Sequence, residues 1–133
     1  MQTDYKILKV SLQNLFPKNI QFAYVELYIY PFDKTYFYTT KSIYLPSLLG
    51  KGYTNYNGVI EFQLIPNDLL EPRPNYYVVV VMYKGKKYVF VAYIPSTLQD
   101  LVIDLKDVLV RRKDNNNCQN NNDFVLFGET VFI

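Results

Sequence analysis

Histidine and tryptophan are absent from the 133 residues, and cysteine occurs once, at Cys118. Without histidine the chain lacks the usual general base, the relay of nucleophilic hydrolases and the commonest metal ligand, which argues against ordinary hydrolase chemistry. A single cysteine forms no internal disulfide, so nothing here reports an oxidising compartment. Long hydrophobic runs are missing too. The longest purely aliphatic one, Val78 to Met82, has five residues, against the roughly 20 that a membrane-spanning helix needs. The opening Met1-Gln2-Thr3-Asp4-Tyr5-Lys6 has neither the basic start nor the apolar stretch of a secretory signal. Synthesis in the cytoplasm and no membrane partner are therefore expected. Nor is charge of one sign in excess: 14 Lys and Arg stand against 12 Asp and Glu, a net +2. That balance gives no general argument for nucleic acid or an anionic surface.

What is present is aromatic and β-prone. Half the residues are hydrophobic, with 14 Tyr and 9 Phe, rings that suit half-buried pleated surfaces. The length is that of one domain, long enough to bury about two thirds of its unfolded surface. Tyr5 to Leu12 reads as an opening edge strand, broken at Pro17-Lys18-Asn19. From Ile20 to Tyr30 the alternation is clear, with Ala23, Val25, Leu27 and Ile29 on a core face and Phe22, Tyr24, Glu26, Tyr28 and Tyr30 on the other. Thr35 to Thr40 and Ile43 to Leu45 read as one further strand with an irregularity near Lys41-Ser42. Ser47 to Lys51 reads as a loop leading into the turn Thr54-Asn55-Tyr56-Asn57-Gly58, in which Asn57 and Gly58 tolerate positive φ. The next strand turns Ile60, Phe62 and Leu64 inward and Val59, Glu61 and Gln63 outward.

Pro66, Pro72 and Pro74 make the following stretch a link of at most one helical turn. Tyr76 to Tyr83 and Lys87 to Ile94 form a hairpin, with Gly85 supplying positive φ at its tip. Both strands are apolar on both faces, which marks central strands covered on each side. The cover is a helix, the chain's own end or another protein. Leu98 to Val110 reads either as a short helix behind Ser96-Thr97, with Leu98, Leu101, Leu105 and Leu109 on one side, or as a strand through Leu101-Val102-Ile103. Asp114 to Asp123 is Asn-rich and polar, a linker. Phe124 to Ile133 is again apolar, and an end of that composition has to be buried somewhere.

No residue set carries chemistry convincingly. Cys118 sits in an Asn run rather than the cationic setting that activates a thiolate, and it reads as an incidental thiol. Asp100, Asp104 and Asp107 could bring carboxylates together for a hard cation, but a solvated face opposite leucines explains them better. Lys84, Lys86 and Lys87, and separately Arg111-Arg112-Lys113, could track a phosphate backbone; a hairpin tip and a linker flank explain them as well, so nucleic acid is not an expected partner. The tyrosine face of Tyr24, Tyr28 and Tyr30 suits a protein contact. It could also stack on a glycan, although the lack of Trp weakens that reading. No catalytic residue, metal or cofactor is expected.

Taken in order, Val25 to Pro31, the Thr54 to Gly58 turn, the strand to Leu64, Pro66, Pro74-Asn75-Tyr76-Tyr77-Val78-Val79, and Phe90-Val91-Ala92-Tyr93-Ile94-Pro95 resemble the immunoglobulin-like or prealbumin-like sandwich modules of tailed-phage virion proteins, relatives of carboxypeptidase regulatory-like domains. The shared pattern is a Thr-Asp/Asn-x-x-Gly turn, a Pro-linked Tyr-x-Val strand and an aromatic strand ending in Val-Pro or Ile-Pro. It covers about Ile20 to Leu109, has Asn55 where Asp is commoner, and does not include the Asn-rich linker or the apolar end. The resemblance implies an all-β, antiparallel sandwich of about seven strands, with room for one short helix near residues 98–110. The domain expectation is a sandwich over 1–112, a linker over 113–123 and an apolar arm over 124–133.

The resemblance further implies a non-enzymatic virion protein, present in multiple copies: a capsid decoration protein or head-fibre anchor, or else a neck, tail or baseplate adaptor. Capsid, fibre or neck and tail subunits would be its partners. The expected interface residues are Phe22, Tyr24, Tyr28 and Tyr30 on the sandwich, and Phe124, Leu126, Phe127, Val131, Phe132 and Ile133 on the arm. Thr54, Asn55, Asn57, Gly58 and Gly85 are expected to shape turns. A glycan- or receptor-binding module, and a regulatory sandwich detached from an enzyme, are the competing classes.

Overall fold

The alternation of the second segment becomes a strand over Tyr24–Tyr30 in which Val25, Leu27 and Ile29 are buried and every residue between them is half-buried. A computed structural model describes residues 5–17, 19–38, 41 and 43–110. In chain order its strands are β1 (Lys6–Ser11), β2 (Tyr24–Tyr30), β3 (Tyr36–Tyr38), β4 (Ile43–Leu45), β5 (Leu48–Tyr53), β6 (Val59–Leu64), β7 (Leu70–Glu71), β8 (Tyr76–Tyr83), β9 (Lys86–Ala92) and β10 (Val102–Asp104). Leu12–Leu15 makes one α-helical turn, and Asn67–Leu69 and Leu105–Asp107 make single 3-10 turns. None of these helices could cross a membrane. The expected linker over 113–123 and arm over 124–133 lie outside the described residues.

The strands form an all-β sandwich. One sheet has the order β5-β2-β8-β9 and is antiparallel throughout; the second is β10-β1-β6, and a small third is β4-β3-β7. Leu8 and Val10 from β1, Val25, Leu27 and Ile29 from β2, Val79 and Val81 from β8, Phe90 from β9 and Tyr36 from β3 meet in one core. Each such side chain contributes about 1.5–3 kcal/mol by leaving water. Tyr77 is also fully buried and donates its hydroxyl to the Ile65 carbonyl; burial raises its pKa above the ordinary tyrosine value.

Several expectations change. β1 is not an edge strand: it lies between β6, antiparallel, and β10, parallel. The expected single strand after Thr35 folds back as a hairpin, Tyr36 pairing with Leu45 and Tyr38 with Ile43. Ser47 to Lys51 is not a loop, since Leu48 opens β5. Its alternation is invisible because Gly50 and Gly52 face the other sheet without a side chain; a Cβ there would lie 3.1 Å from the Phe62 ring and 3.0 Å from Ile60 Cδ1. Leu98 to Val110 is a short strand followed by a 3-10 turn rather than a helix. β9 is an edge strand, touched beyond Val91 by an antiparallel bridge between Ala92 and Leu109.

Two turns fix these elements. Asn55 Oδ1 accepts from the Asn57 and Val59 amides at 2.9 and 3.0 Å, and Thr54 Oγ1 accepts from the Ala23 amide at 2.9 Å. Gly58 has φ +78, and a Cβ on it would stand 2.5 Å from the Ile20 carbonyl oxygen. At the tip of the β8–β9 hairpin Lys84 and Gly85 have φ of 50 and 79, the pair of positive values that matches the twist of a two-residue loop.

Candidate docking surface

Register sets the outer face of the four-stranded sheet. Tyr53, Tyr24, Met82 and Lys87 lie in one row across β5, β2, β8 and β9; Lys51, Glu26, Val80 and Val89 in the next; then Tyr28, Val78 and Val91, and finally Tyr30 and Tyr76. The face thus has two halves. Across β8 and β9 it is aliphatic, and Val78, Val80, Val89 and Val91 are only 1%, 2%, 7% and 2% exposed. Across β2 and β5 it is aromatic around one carboxylate.

Glu26 organises the aromatic half. Tyr24 Oη donates to its Oε2 at 3.1 Å and Tyr28 Oη donates to its Oε1 at 2.8 Å. Desolvation, then the hydrogen bond to Glu26 and its charge, push the Tyr28 pKa up to about 12, and the same causes raise Tyr24. Both hydroxyls therefore stay protonated as donors. Phe32 closes edge-on against Tyr28 and Tyr30 with centroids 5.5 and 5.1 Å away, and Tyr53 lies 5.2 Å from Tyr24.

At the β5 margin the aromatics meet water. Phe22, Tyr53 and Tyr56 are 61%, 68% and 63% exposed. Phe22 sits at φ 55 with its amide directed at the Asn55 carbonyl at 3.4 Å. A left-handed backbone is costly for a bulky residue, and here it accompanies a ring left in solvent.

Of the residues expected at an interface, Tyr24, Tyr28 and Tyr30 share one face of β2 and Phe22 immediately precedes it. Phe124, Leu126, Phe127, Val131, Phe132 and Ile133 lie outside the described residues, as do Cys118 and Arg111-Arg112-Lys113. Phe32, Tyr53 and Tyr56 were not foreseen. The only signal for Phe32 is its place after Pro31, and Tyr53 belongs to a strand that the glycines hide.

The other candidates have structural employment. Asp104 accepts from Asn14 Nδ2 at 2.9 Å and from the Lys106 amide at 3.1 Å, while Asp107 pairs with Lys106. Among the described residues no group of three or more His, Cys, Asp or Glu is placed to hold a metal. Lys84 leans over the Tyr83 ring at the hairpin tip. A cleft of about 370 Å³ is lined by Asn67, Arg73, Pro74, Asn75 and Tyr93. Its buried amides are occupied internally: Asn67 Oδ1 accepts from the Ile94 amide at 2.7 Å, Asn67 Nδ2 donates to Asn75 Oδ1 at 2.8 Å, and Asn75 Nδ2 donates to the Leu70 and Pro72 carbonyls. Arg73 faces Glu71 at 3.0 Å.

Comparison with known proteins adds no relative: no family model matches the chain, and no curated protein or solved structure matches it either.

Proposed function

We propose that this chain is a non-enzymatic structural protein of a bacteriophage virion, a β-sandwich assembly module that acts as a capsid decoration protein or head-fibre anchor. Neck, tail or baseplate adaptor is the alternative position within the same class. The observation that carries an assembly role is the aromatic margin formed by Phe22, Tyr53 and Tyr56, with Tyr24 behind it. Tyrosine and phenylalanine are enriched in protein contacts because they give large, stiff contact area. The virion setting rests on the resemblance of the order of turns and strands from Ile20 to Leu109. The lack of histidine in the whole chain supports a non-catalytic role. A glycan reading is less favoured, because Tyr24 and Tyr28 direct their hydroxyls to Glu26 rather than outward.

Mass spectrometry of purified particles, with copy number, tests the reading. The chain is expected in many copies per particle, and Phe22→Ser combined with Tyr53→Ser is expected to lower its incorporation at least tenfold while the purified variant keeps its fold. Absence from particles, or copurification with a catalytic subunit, overturns it.

A further inference from the structure

We infer that the free edge of β5 pairs antiparallel with β5 of a second copy of this chain, joining two four-stranded sheets about a two-fold axis. The inference rests on the reading of the Phe22, Tyr53 and Tyr56 margin as a contact surface, and not on the virion setting. Its first support is the edge itself. β5 ends the sheet order β5-β2-β8-β9. The Thr54 amide donates to the Ala23 carbonyl at 2.9 Å, and hydrogen-bonded pairs alternate along an antiparallel ladder. Gly52 and Gly50 are therefore bonded to Val25 and Leu27 of β2, whereas Lys51 and Tyr53 direct their amides and carbonyls away from it. Among the described residues no strand lies beyond them, and an unpaired row of this kind is a template for another strand.

The second support is that the common devices against pairing are missing. Leu48–Tyr53 is six residues long and contains no proline. The one irregularity in its ladder lies at its start, between Leu48 and Gly50. Its single charge, Lys51, stands directly opposite Glu26 on the outer face, so the two together are close to neutral and repel an incoming strand less than a bare lysine would. The margin is otherwise apolar: Leu48 and Tyr53 are 39% and 68% exposed, and the exposed Phe22 and Tyr56 flank the end at Tyr53.

The third support favours a second copy over an unrelated strand: the edge is complementary to itself. Outward-bonding residues must face one another, which limits the two-fold registers. Lys51 opposite Lys51 sets like charges side by side, which destabilises a sheet. Tyr53 opposite Tyr53 puts Lys51 against Asn55, whose amide already donates to the Val59 carbonyl at 3.0 Å and whose carbonyl accepts from the Gly58 amide at 2.9 Å. Lys51 opposite Tyr53 uses both free residues of each copy, and each such pair exchanges both of its backbone hydrogen bonds. Gly52 then meets Gly52 of the second copy at the centre with no side chains to collide, and each Lys51 ammonium comes beside a tyrosine ring that attracts it. The same register carries the exposed Leu48 toward the exposed Tyr56 of the second copy. Such a contact uses one patch twice and closes at the dimer.

Sedimentation equilibrium of the purified full chain tests this. A monomer–dimer equilibrium is expected, and substitutions of Tyr53, which is 68% exposed and so replaceable without loss of the fold, read the register. Tyr53→Lys places a cation opposite each Lys51 and Tyr53→Glu a carboxylate, so at low salt the Glu variant is expected to dimerise at least about tenfold more tightly than the Lys variant. Amide exchange is the second readout: the Lys51 and Tyr53 amides are expected to slow at least about fivefold from dilute to concentrated protein. Protein that stays monomeric at ~1 mM, or a dimer that both substitutions weaken equally, overturns the inference. A monomeric protein whose incorporation into particles still falls with Phe22→Ser and Tyr53→Ser would overturn the self-pairing and leave the contact reading standing.

Discussion

The inner and outer faces of the four-stranded sheet are built from the same strands, one residue apart, yet they are held by different means. Inside, Val25, Leu27, Ile29, Val79, Val81, Phe90 and Ala92 belong to one buried cluster with side chains from two other sheets. Outside, the face is split between Glu26 with its tyrosines and four valines that rest on few described neighbours. A core face is specified by volume alone, whereas an outer face is specified by whatever lies on it. The outer face is therefore where association with other molecules is to be sought.

Substitutions can set the two faces against each other. Leu27→Ala on the inner face is expected to destabilise by about 2–5 kcal/mol, because the surrounding sheets cannot collapse into the hole; chemical denaturation measures it, and a loss below about 1 kcal/mol would mean that the inner face is loosely packed. Val80→Ala on the outer face removes two methyl-sized groups, worth about 1.6 kcal/mol at ~0.8 kcal/mol each, because Val80 is only 2% exposed; the same denaturation measures it, and a loss as large as that of Leu27→Ala would erase the difference between the faces.

Alkali separates the faces further. Tyr28 on the outer face and Tyr36 in the core both have pKa values raised to about 12, chiefly by burial, while an unfolded tyrosine titrates near 10. Between those values the unfolded state loses protons that the folded state retains, so stability is flat below about pH 10 and falls as pH rises toward 12. Denaturation midpoints across that range check the sign; a midpoint that rises would contradict it. The smallest effect is expected for Glu26→Gln, under about 1 kcal/mol at a half-exposed site. Its signature is instead a lower Tyr28 pKa, still above the ordinary value because burial persists, read from tyrosinate absorbance.

Where side chains alternate, or run apolar up to a turn glycine, the chain was readable. β2, β6 and the β8–β9 hairpin follow from their own residues, and Gly58 and Gly85 from the positive φ that their turns require. β5 was hidden because Gly50 and Gly52 remove the inward side chains by which a strand is recognised. The hairpin of β3 and β4 was hidden because Lys41 carries none of the usual turn chemistry. The order of strands was not readable at all: nothing local to β1 says that β10, about ninety residues on, will lie parallel beside it. On the candidate surface, Tyr24, Tyr28 and Tyr30 follow from period two. Glu26 as their common acceptor, and Phe32 and Tyr53 as their ring partners, depend on distances that only the folded chain supplies.

The division of the outer face is tested most directly by side-chain NMR of the full-length monomer with a soluble paramagnetic probe. The methyl groups of Val78, Val80, Val89 and Val91 are predicted to stay sharp while the rings of Phe22, Tyr53 and Tyr56 broaden. Valine methyls broadened as strongly as those rings would show an open face and contradict the split between a sealed aliphatic half and an accessible aromatic one.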